Sequence, residues 1–301
     1  EVICGGPPCQ GFSTIGKRAL DDPRNELPRE FIRVVRDLQP KYFLFENVPG
    51  LATGNHSRIL DEIVCAFSEA GYNVVQPVAV LSATAFGIPQ TRRRLFVLGA
   101  RVDTVPVCYP QPTHMADSRQ ALLPGMPACP TVEEALGDLP DADAFFELLK
   151  EDSVLCALQA PLSDYARNLR DPQADATNFA YPRLRDPGYM TGSLRTKHTA
   201  LSRQRFAATK PNETEPVSRF FKLAPGGYCN TLRAGTGSER GAFTSPRPIH
   251  YRYPRCITNR EAARLHSFPD WFRVHATKWH GFRQIGNAVP PLLARDRKSV
   301  V

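Results

Sequence analysis

An α/β fold built on an open sheet is what the first hundred residues predict, and three observations predict it. Strand and helix signals alternate along the chain. The strand candidates are short, continuous apolar runs. The loops rich in glycine and proline follow the ends of those runs. Val2-Ile3-Cys4 reads as the first strand and leads into a Gly/Pro/Ser loop. Phe31, Val34, Val35 and Leu38 then recur at helical spacing, and Tyr42-Phe43-Leu44-Phe45 is a second strand. Ile59, Leu60, Ile63, Val64 and Phe67 form another helical stripe, which Gly71 is placed to end as a C-cap. Val74 to Val80 and Leu95 to Leu98 read as two further strands. The alternation implies a parallel sheet, whose ligands sit beyond the carboxyl ends of its strands.

After residue 101 the alternation stops. Residues 102–250 are rich in Pro, Gly, Arg and Thr, with an acidic helical patch from Glu133 to Asp152 and no repeat. Long irregular segments of this kind are functional or disordered. Order returns at Ile257-Thr258-Asn259-Arg260-Glu261, a helix start that runs through Leu265. The expected organisation is therefore 1–101, 102–250 and 251–301. The chain opens at Glu1 with a strand already under way. It stops at Arg295-Asp296-Arg297-Lys298, soon after an amphipathic stretch begins at Leu292, so both ends are expected to be cut from a longer protein.

The 301 residues suffice for one large domain or two ordinary ones, and a hydrophobic content of 42% excludes a wholly disordered chain. No run of eighteen apolar residues and no charged-then-apolar leader occurs, which argues against a membrane span or a secreted protein. The eight cysteines form no Cys-x-x-Cys pair and no cluster with histidine. They read as reduced thiols in a cytoplasm, and no metal is expected. The net charge of +8 is unevenly spread: residues 183–301 hold 22 Lys/Arg against 7 Asp/Glu. A solvated basic face and a polyanion partner, most simply nucleic acid, both account for that excess.

Three segments carry the chemistry. Gly5-Gly6-Pro7-Pro8-Cys9-Gln10-Gly11-Phe12-Ser13 follows the first strand. A lone cysteine is more often a small buried hydrophobe than a nucleophile. Here two glycines permit close backbone approach to a ligand, and two prolines stiffen the turn that holds the thiol. Glu46-Asn47-Val48-Pro49-Gly50 ends the next strand. Its carboxylate is either a turn or cap residue, or an acid whose proton is retained by partial burial. Gln90-Thr91-Arg92-Arg93-Arg94 leads into the strand at Leu95. Alternation on an extended segment puts Arg92 and Arg94 on one side, as a solvated edge or as two guanidiniums aimed at a carboxylate, a base carbonyl or a phosphate.

In this order the segments resemble the cytosine-C5 DNA methyltransferases of bacterial type. Pro8-Cys9-Gln10, Glu46-Asn47-Val48, the Gln-x-Arg-x-Arg run from Gln90, the Arg-Glu-Ala-Ala-Arg-Leu run from Arg260 with its Phe-Pro-Asp, and the Gln-x-Gly-Asn-Ala-Val-Pro-Pro run from Gln284 all match family signatures. Residues 102–250 match the family's target-recognition region by position, and Thr231-Leu232 resembles the element that closes its base-reading loop. The resemblance implies a Rossmann-like S-adenosylmethionine-dependent methyltransferase fold, incomplete at its amino end, with a smaller, irregular target-recognition domain. It implies a cytosine flipped out of the duplex, addition of the Cys9 thiolate to carbon 6, and Glu46 on ring nitrogen 3. Arg94 is expected on the base carbonyl, with Arg92 orienting Glu46. Gly6, Pro8 and Asn287 are expected against S-adenosylmethionine. Gln10, Ser13, Asn47, Gln90, Thr231 and Arg233 are expected against DNA.

The implied partner is double-stranded DNA, with a cognate restriction endonuclease beside members of restriction-modification systems. The implied setting is cytoplasmic and nucleoid-associated, and the implied state is monomeric. One departure stands out. The family's Phe-x-Gly-x-Gly donor loop, which belongs before the Pro-Cys-Gln strand, does not occur, so this chain alone is expected not to methylate DNA. A transfer-RNA cytosine-C5 methyltransferase and a non-catalytic DNA-binding relative are the competing readings. The long 102–250 region and the Gly11-Phe12-Ser13 continuation speak against the first, and intact Cys9, Glu46, Arg92 and Arg94 against the second.

Overall fold

The computed structural model describes residues 1–8, 26–54, 57–115, 125–171, 186, 188–235 and 247–298. The chain divides into two compact units. The first comprises residues 1–82, 93–112 and 295–301, and the second comprises residues 83–92 and 113–294. These bounds differ from the expected ones, because residues 251–294 fall with the irregular region rather than with the first hundred residues. The reason is a shared core. Ile257, Ala262, Leu265, Phe282 and Ile285 pack in one buried cluster with Val132, Leu136, Leu148, Met190 and Leu232.

The first unit is an α/β layer. Strand β1 (Val2–Gly5) runs parallel to β2 (Tyr42–Asn47), and helix α1 (Glu26–Leu38) precedes β2. Helix α2 (Ser57–Glu69) leads into β3 (Tyr72–Val74), followed by β4 (Ala79–Ser82) and the nine-residue β5 (Arg93–Arg101). Gly71 follows α2 with φ +91°, the left-handed turn anticipated there.

The sheet is mixed, not parallel. β5 is inserted next to β2 and is antiparallel to β2, β3 and β4. The link from β4 to β5, residues 83–92, is too short for a parallel crossover, which needs about a dozen residues or more. The single strand expected over 74–80 is two pieces on one edge of β5. β3 pairs with Gly99–Arg101 and β4 with Arg93–Phe96. Pro77, lacking an N–H, interrupts them.

Strand alternation puts Phe43 and Phe45 of β2 and Leu95, Val97 and Gly99 of β5 on the face that α1 and α2 cover. Ile32, Val35, Ile59, Ile63 and Phe67 complete this core. Phe43 is paired with Gly99, where a Cβ would come within 2.1 Å of the Phe43 ring. The ring also stacks on Phe67 with centroids 3.9 Å apart. Glycine at 99 thus makes room for the aromatic layer.

The second unit contains helices α3 (Val132–Leu136), α4 (Asp164–Arg170), α5 (Ala200–Ala208), α6 (Asn259–Leu265) and α7 (Lys278–Asn287). It also has a two-stranded antiparallel sheet, β6 (Ser153–Leu155) and β7 (Tyr189–Thr191). Helix α8 (Pro291–Lys298) begins at its end. The acidic patch is a five-residue helix and two single 3₁₀ turns rather than one helix, since Gly137 and Pro140 interrupt it. α6 starts at Thr258 with a capping box closed by Glu261, as the residue types require.

The Arg260 run is structural. Arg264, fully buried, pairs with Asp138 at 2.6 Å and with Asp270 at 2.7 Å. Arg255 makes a two-pronged contact with Glu261 at 2.9 Å and another with Asp141 at 2.8 Å. Arg260 donates to the carbonyls of Thr191, Pro269 and Phe272. Removing one member of such a pair leaves a buried charge uncompensated, at a cost of about 3–5 kcal/mol. Part of the basic excess of residues 183–301 is therefore spent inside the molecule and is not available to a polyanion.

Among the described residues no helix is long and apolar enough to cross a membrane, and no group of three or more His, Cys, Asp or Glu could hold a metal ion.

Candidate active site

Glu46 and Arg94 meet through the register of the first unit's sheet. Alternation along β2 turns Glu46 away from the helix-covered face that Phe45 occupies. Glu46 pairs with Phe96 of the antiparallel β5, so Arg94, two residues back, is its diagonal neighbour on the same face. A long side chain reaches across that diagonal. Arg94 Nε stands 2.9 Å from Glu46 Oε1, with the two side chains 15% and 16% exposed. Burial pulls the Arg94 guanidinium below its ordinary value while Glu46 opposes the shift. Arg94 also donates to the carbonyl of Arg93.

The end of β1 lies against this pair. A Cβ on Gly6 would stand 2.7 Å from Glu46 Oε2, so the absence of a side chain leaves the carboxylate its place. Asn47, 5% exposed, donates from Nδ2 to the Pro7 carbonyl at 3.0 Å and accepts the Val48 N–H at 2.9 Å. It thus holds the backbone two residues before Cys9. Asn47, expected against DNA, here ties the end of β2 to the backbone after β1. Pro8 is exposed. Cys9, Gln10 and Ser13 lie outside the described residues.

The Gln90 segment divides between the units. β5 begins at Arg93, and Arg92 immediately precedes it. Arg92 is 1% exposed. Its Nη1 donates to the Leu232 carbonyl at 3.1 Å, and its Nη2 donates to those of Gly286 at 2.9 Å and Ala288 at 3.0 Å. The guanidinium seen on Glu46 is that of Arg94. Gln90, expected against DNA, is fully buried. It donates from Nε2 to the Leu265 carbonyl and lies 2.9 Å from His266 Nδ1, while its Oε1 accepts the Leu232 N–H. Both polar backbone groups of Leu232 are therefore held by the Gln90–Arg92 pair.

Thr231 is half-buried and donates its hydroxyl to the Thr91 carbonyl at 3.1 Å, and Arg233 is exposed. Asn287 closes α7 and is exposed. His266, which no motif singled out, is fully buried at the centre of this arrangement. Its only sequence signal is an imidazole inside the Arg260–Asp270 run. Among the other thiols, burial pushes Cys129 up to about 12 and Cys256 up to about 11, and it raises Cys229 as well. Those three are held protonated and make poor nucleophiles.

The chain is similar to known proteins. Residues 1–297 match the family described as C-5 cytosine-specific DNA methylase. The chain is 57% identical over 295 residues to the type II methyltransferase M.XorII of Xanthomonas oryzae pv. oryzae, and the match takes in 98% of this chain and 66% of that protein. Among solved structures, a chain described as a DNA modification methyltransferase encoded within an E. coli prophage is similar. Its TM-score is 0.73 at 32% identity, over 99% of this chain and 78% of that one. The Dnmt2 methyltransferase of S. pombe, at 17% identity and a TM-score of 0.51 over 99% of this chain and 77% of its own, is similar in fold alone.

Proposed function

The chain belongs to the C-5 cytosine-specific DNA methylase family, and from that membership we propose that its protein transfers a methyl group to carbon 5 of a cytosine flipped out of double-stranded DNA. The observation that carries this reading is the Glu46–Arg94 pair seated over Gly6 at the carboxyl ends of β1 and β2. This is the sheet edge where ligands of α/β folds bind. The loop that bears Cys9 leaves β1 at the same edge.

In the reaction, the Cys9 thiolate adds to carbon 6 of the base while Glu46 hydrogen-bonds ring nitrogen 3. Electron density then moves to carbon 5, which would take the electrophilic methyl group; loss of the original carbon-5 hydrogen as a proton and breakage of the Cys9–carbon 6 bond then restore the aromatic ring. Arg94 is the arginine that the ion pair with Glu46 supports for this site. It fixes the carboxylate of Glu46, and it is the guanidinium available to the base carbonyl. Arg92 and Gln90 act as ties within the second unit, on Leu232, Gly286 and Ala288. Burial raises the thiols of Cys129, Cys229 and Cys256, which speaks against those three as nucleophiles.

S-adenosylmethionine, when bound, supplies an electrophilic methyl group. The resemblance assigns Gly6, Pro8 and Asn287 to it. Asn287 suits a polar donor group, because its side chain is exposed while the carbonyls on either side of it are pinned by Arg92. The chain spans 66% of the length of M.XorII, so tests of activity require the whole protein. A cognate restriction endonuclease, a monomeric state and a cytoplasmic, nucleoid-associated setting belong to the same reading.

The decisive experiment is trapping on duplex DNA that contains 5-fluorocytosine, where the missing proton at carbon 5 prevents release. The full-length protein should form an adduct that survives denaturation, and Cys9→Ser should abolish it. Persistence of the adduct in Cys9→Ser removes Cys9 from the mechanism. An adduct formed with fluorinated transfer RNA and not with DNA replaces the substrate.

A further inference from the structure

We propose that His266 is a positioning residue for Asn287, held in its working orientation by Gln90. The inference rests on the reading of Asn287 as a contact to S-adenosylmethionine and adds the residues that present it.

The last carbonyls of a helix have no partner within the helix. At the end of α7 they are taken by two side chains from elsewhere in the second unit. Arg92 Nη2 donates to the carbonyls of Gly286 and Ala288, on either side of Asn287. His266 Nε2 lies 3.0 Å from the same Ala288 carbonyl. Gly286 brings the helix end close to its neighbour, since a Cβ there would stand 2.6 Å from the Ala234 nitrogen. The backbone around Asn287 is therefore fixed while its side chain stays exposed, the arrangement of a group organised before its ligand arrives.

The hydrogen bonds determine which imidazole nitrogen carries the proton. Gln90 Oε1 accepts the Leu232 N–H at 3.1 Å and Gln90 Nε2 donates to the Leu265 carbonyl at 3.1 Å, which sets the orientation of the amide. Gln90 Nε2 is thus a donor toward His266 Nδ1, 2.9 Å away, and Nδ1 must accept. The proton then sits on Nε2 and is donated to Ala288. The ring lies nearly parallel to Phe268, at an interplanar angle of 13°, and is fully buried. Only a side chain with an acceptor and a donor spaced as in imidazole can link Gln90 to Ala288. Glutamine is the one other residue that offers a similar pair.

The test uses the full-length protein and three variants. Calorimetry with S-adenosylhomocysteine gives donor-site affinity, anisotropy gives DNA affinity, and single-turnover assays give the rate at saturating donor. His266→Met keeps the bulk and loses both hydrogen bonds. Its Kd for S-adenosylhomocysteine should rise about tenfold, the scale of one or two buried hydrogen bonds. DNA affinity should stay within about twofold, and the rate at saturating donor within about threefold. His266→Gln should recover most of the loss. In an Asn287→Ala background, His266→Met should add less than about twofold, because its effect passes through Asn287.

Unchanged S-adenosylhomocysteine affinity in His266→Met, whatever its Tm, overturns the proposal. So does a His266→Gln variant as weak as His266→Met, or a full additive loss in the Asn287→Ala background. If His266→Met does not fold, His266→Asn, too short to reach both partners, is judged by the same criteria. A wild-type protein that does not bind S-adenosylhomocysteine at all overturns the donor reading itself, and this inference with it.

Discussion

Glu46 and Arg94 are joined across two antiparallel strands by a 2.9 Å contact between Oε1 and Nε, on the sheet face opposite the helices. Neither residue could reach the other without the register that pairs Glu46 with Phe96. In the full-length protein, Glu46→Gln should lower single-turnover methyl transfer by ~10²–10⁴-fold, the usual contribution of a group that moves a proton. DNA affinity should change little. Arg94→Lys keeps the charge but loses the planar fork, and should fall short of wild type by at least about tenfold. A loss smaller than about tenfold in Glu46→Gln would make the carboxylate a structural cap.

Gly6→Ala tests how closely β1 approaches that pair. The added Cβ would stand 2.7 Å from Glu46 Oε2, below any ordinary contact, so the carboxylate must move. A displacement of this size at the reacting centre should cost about tenfold or more in rate. The thermal midpoint should hold within a few degrees, since the conflict is with a side-chain end. Wild-type rates in Gly6→Ala would mean that the Glu46 position is not critical.

DNA affinity should depend on salt, but less steeply than the charge count of residues 183–301 suggests, because Arg255, Arg260 and Arg264 are buried. Arg233 is exposed beside Leu232 and is a candidate phosphate contact. Arg233→Ala should weaken binding of all sequences alike and reduce the log–log salt slope by about 1. A slope identical to wild type would take Arg233 off the DNA.

Stability should fall on acidification through the histidines. Burial, aided by Arg247, holds His198 down at about 4, and its Nε2 accepts the Cys256 N–H at 3.1 Å. The unfolded chain, with histidine near ~6.5, binds more protons than the folded one between those values. The contribution is present above about 6.5 and is lost as pH falls toward 4. His250, lowered to about 3 chiefly by burial, acts in the same direction. Urea unfolding at pH 7.5 and pH 5 should show a smaller difference in His198→Gln than in wild type. Equal differences would assign the acid sensitivity elsewhere.

Several elements are legible in the residues alone. Helical spacing at Phe31–Leu38 and Ile59–Phe67, the apolar run at Tyr42–Phe45 and the turn at Gly71 all follow from periods and residue types that act over a few positions. So does the placing of Glu46 at a strand end. The direction of β5 is not legible, because a run of apolar residues is the same read either way. Direction is set by the length of the connection and by the pairing partner.

The sequence by itself determined which residue types stand at the strand ends and where helices begin, since local sterics and capping need only near neighbours. The tertiary structure alone decided what each polar side chain does. Arg92 and Arg94 are two residues apart and chemically identical. Yet one is spent on the carbonyls of Leu232, Gly286 and Ala288, and the other on Glu46. Gln90 and His266 find each other across 176 positions of chain. A buried hydrogen-bonding group must be satisfied by whatever the fold brings within about 3 Å, and residue identity does not encode that partner.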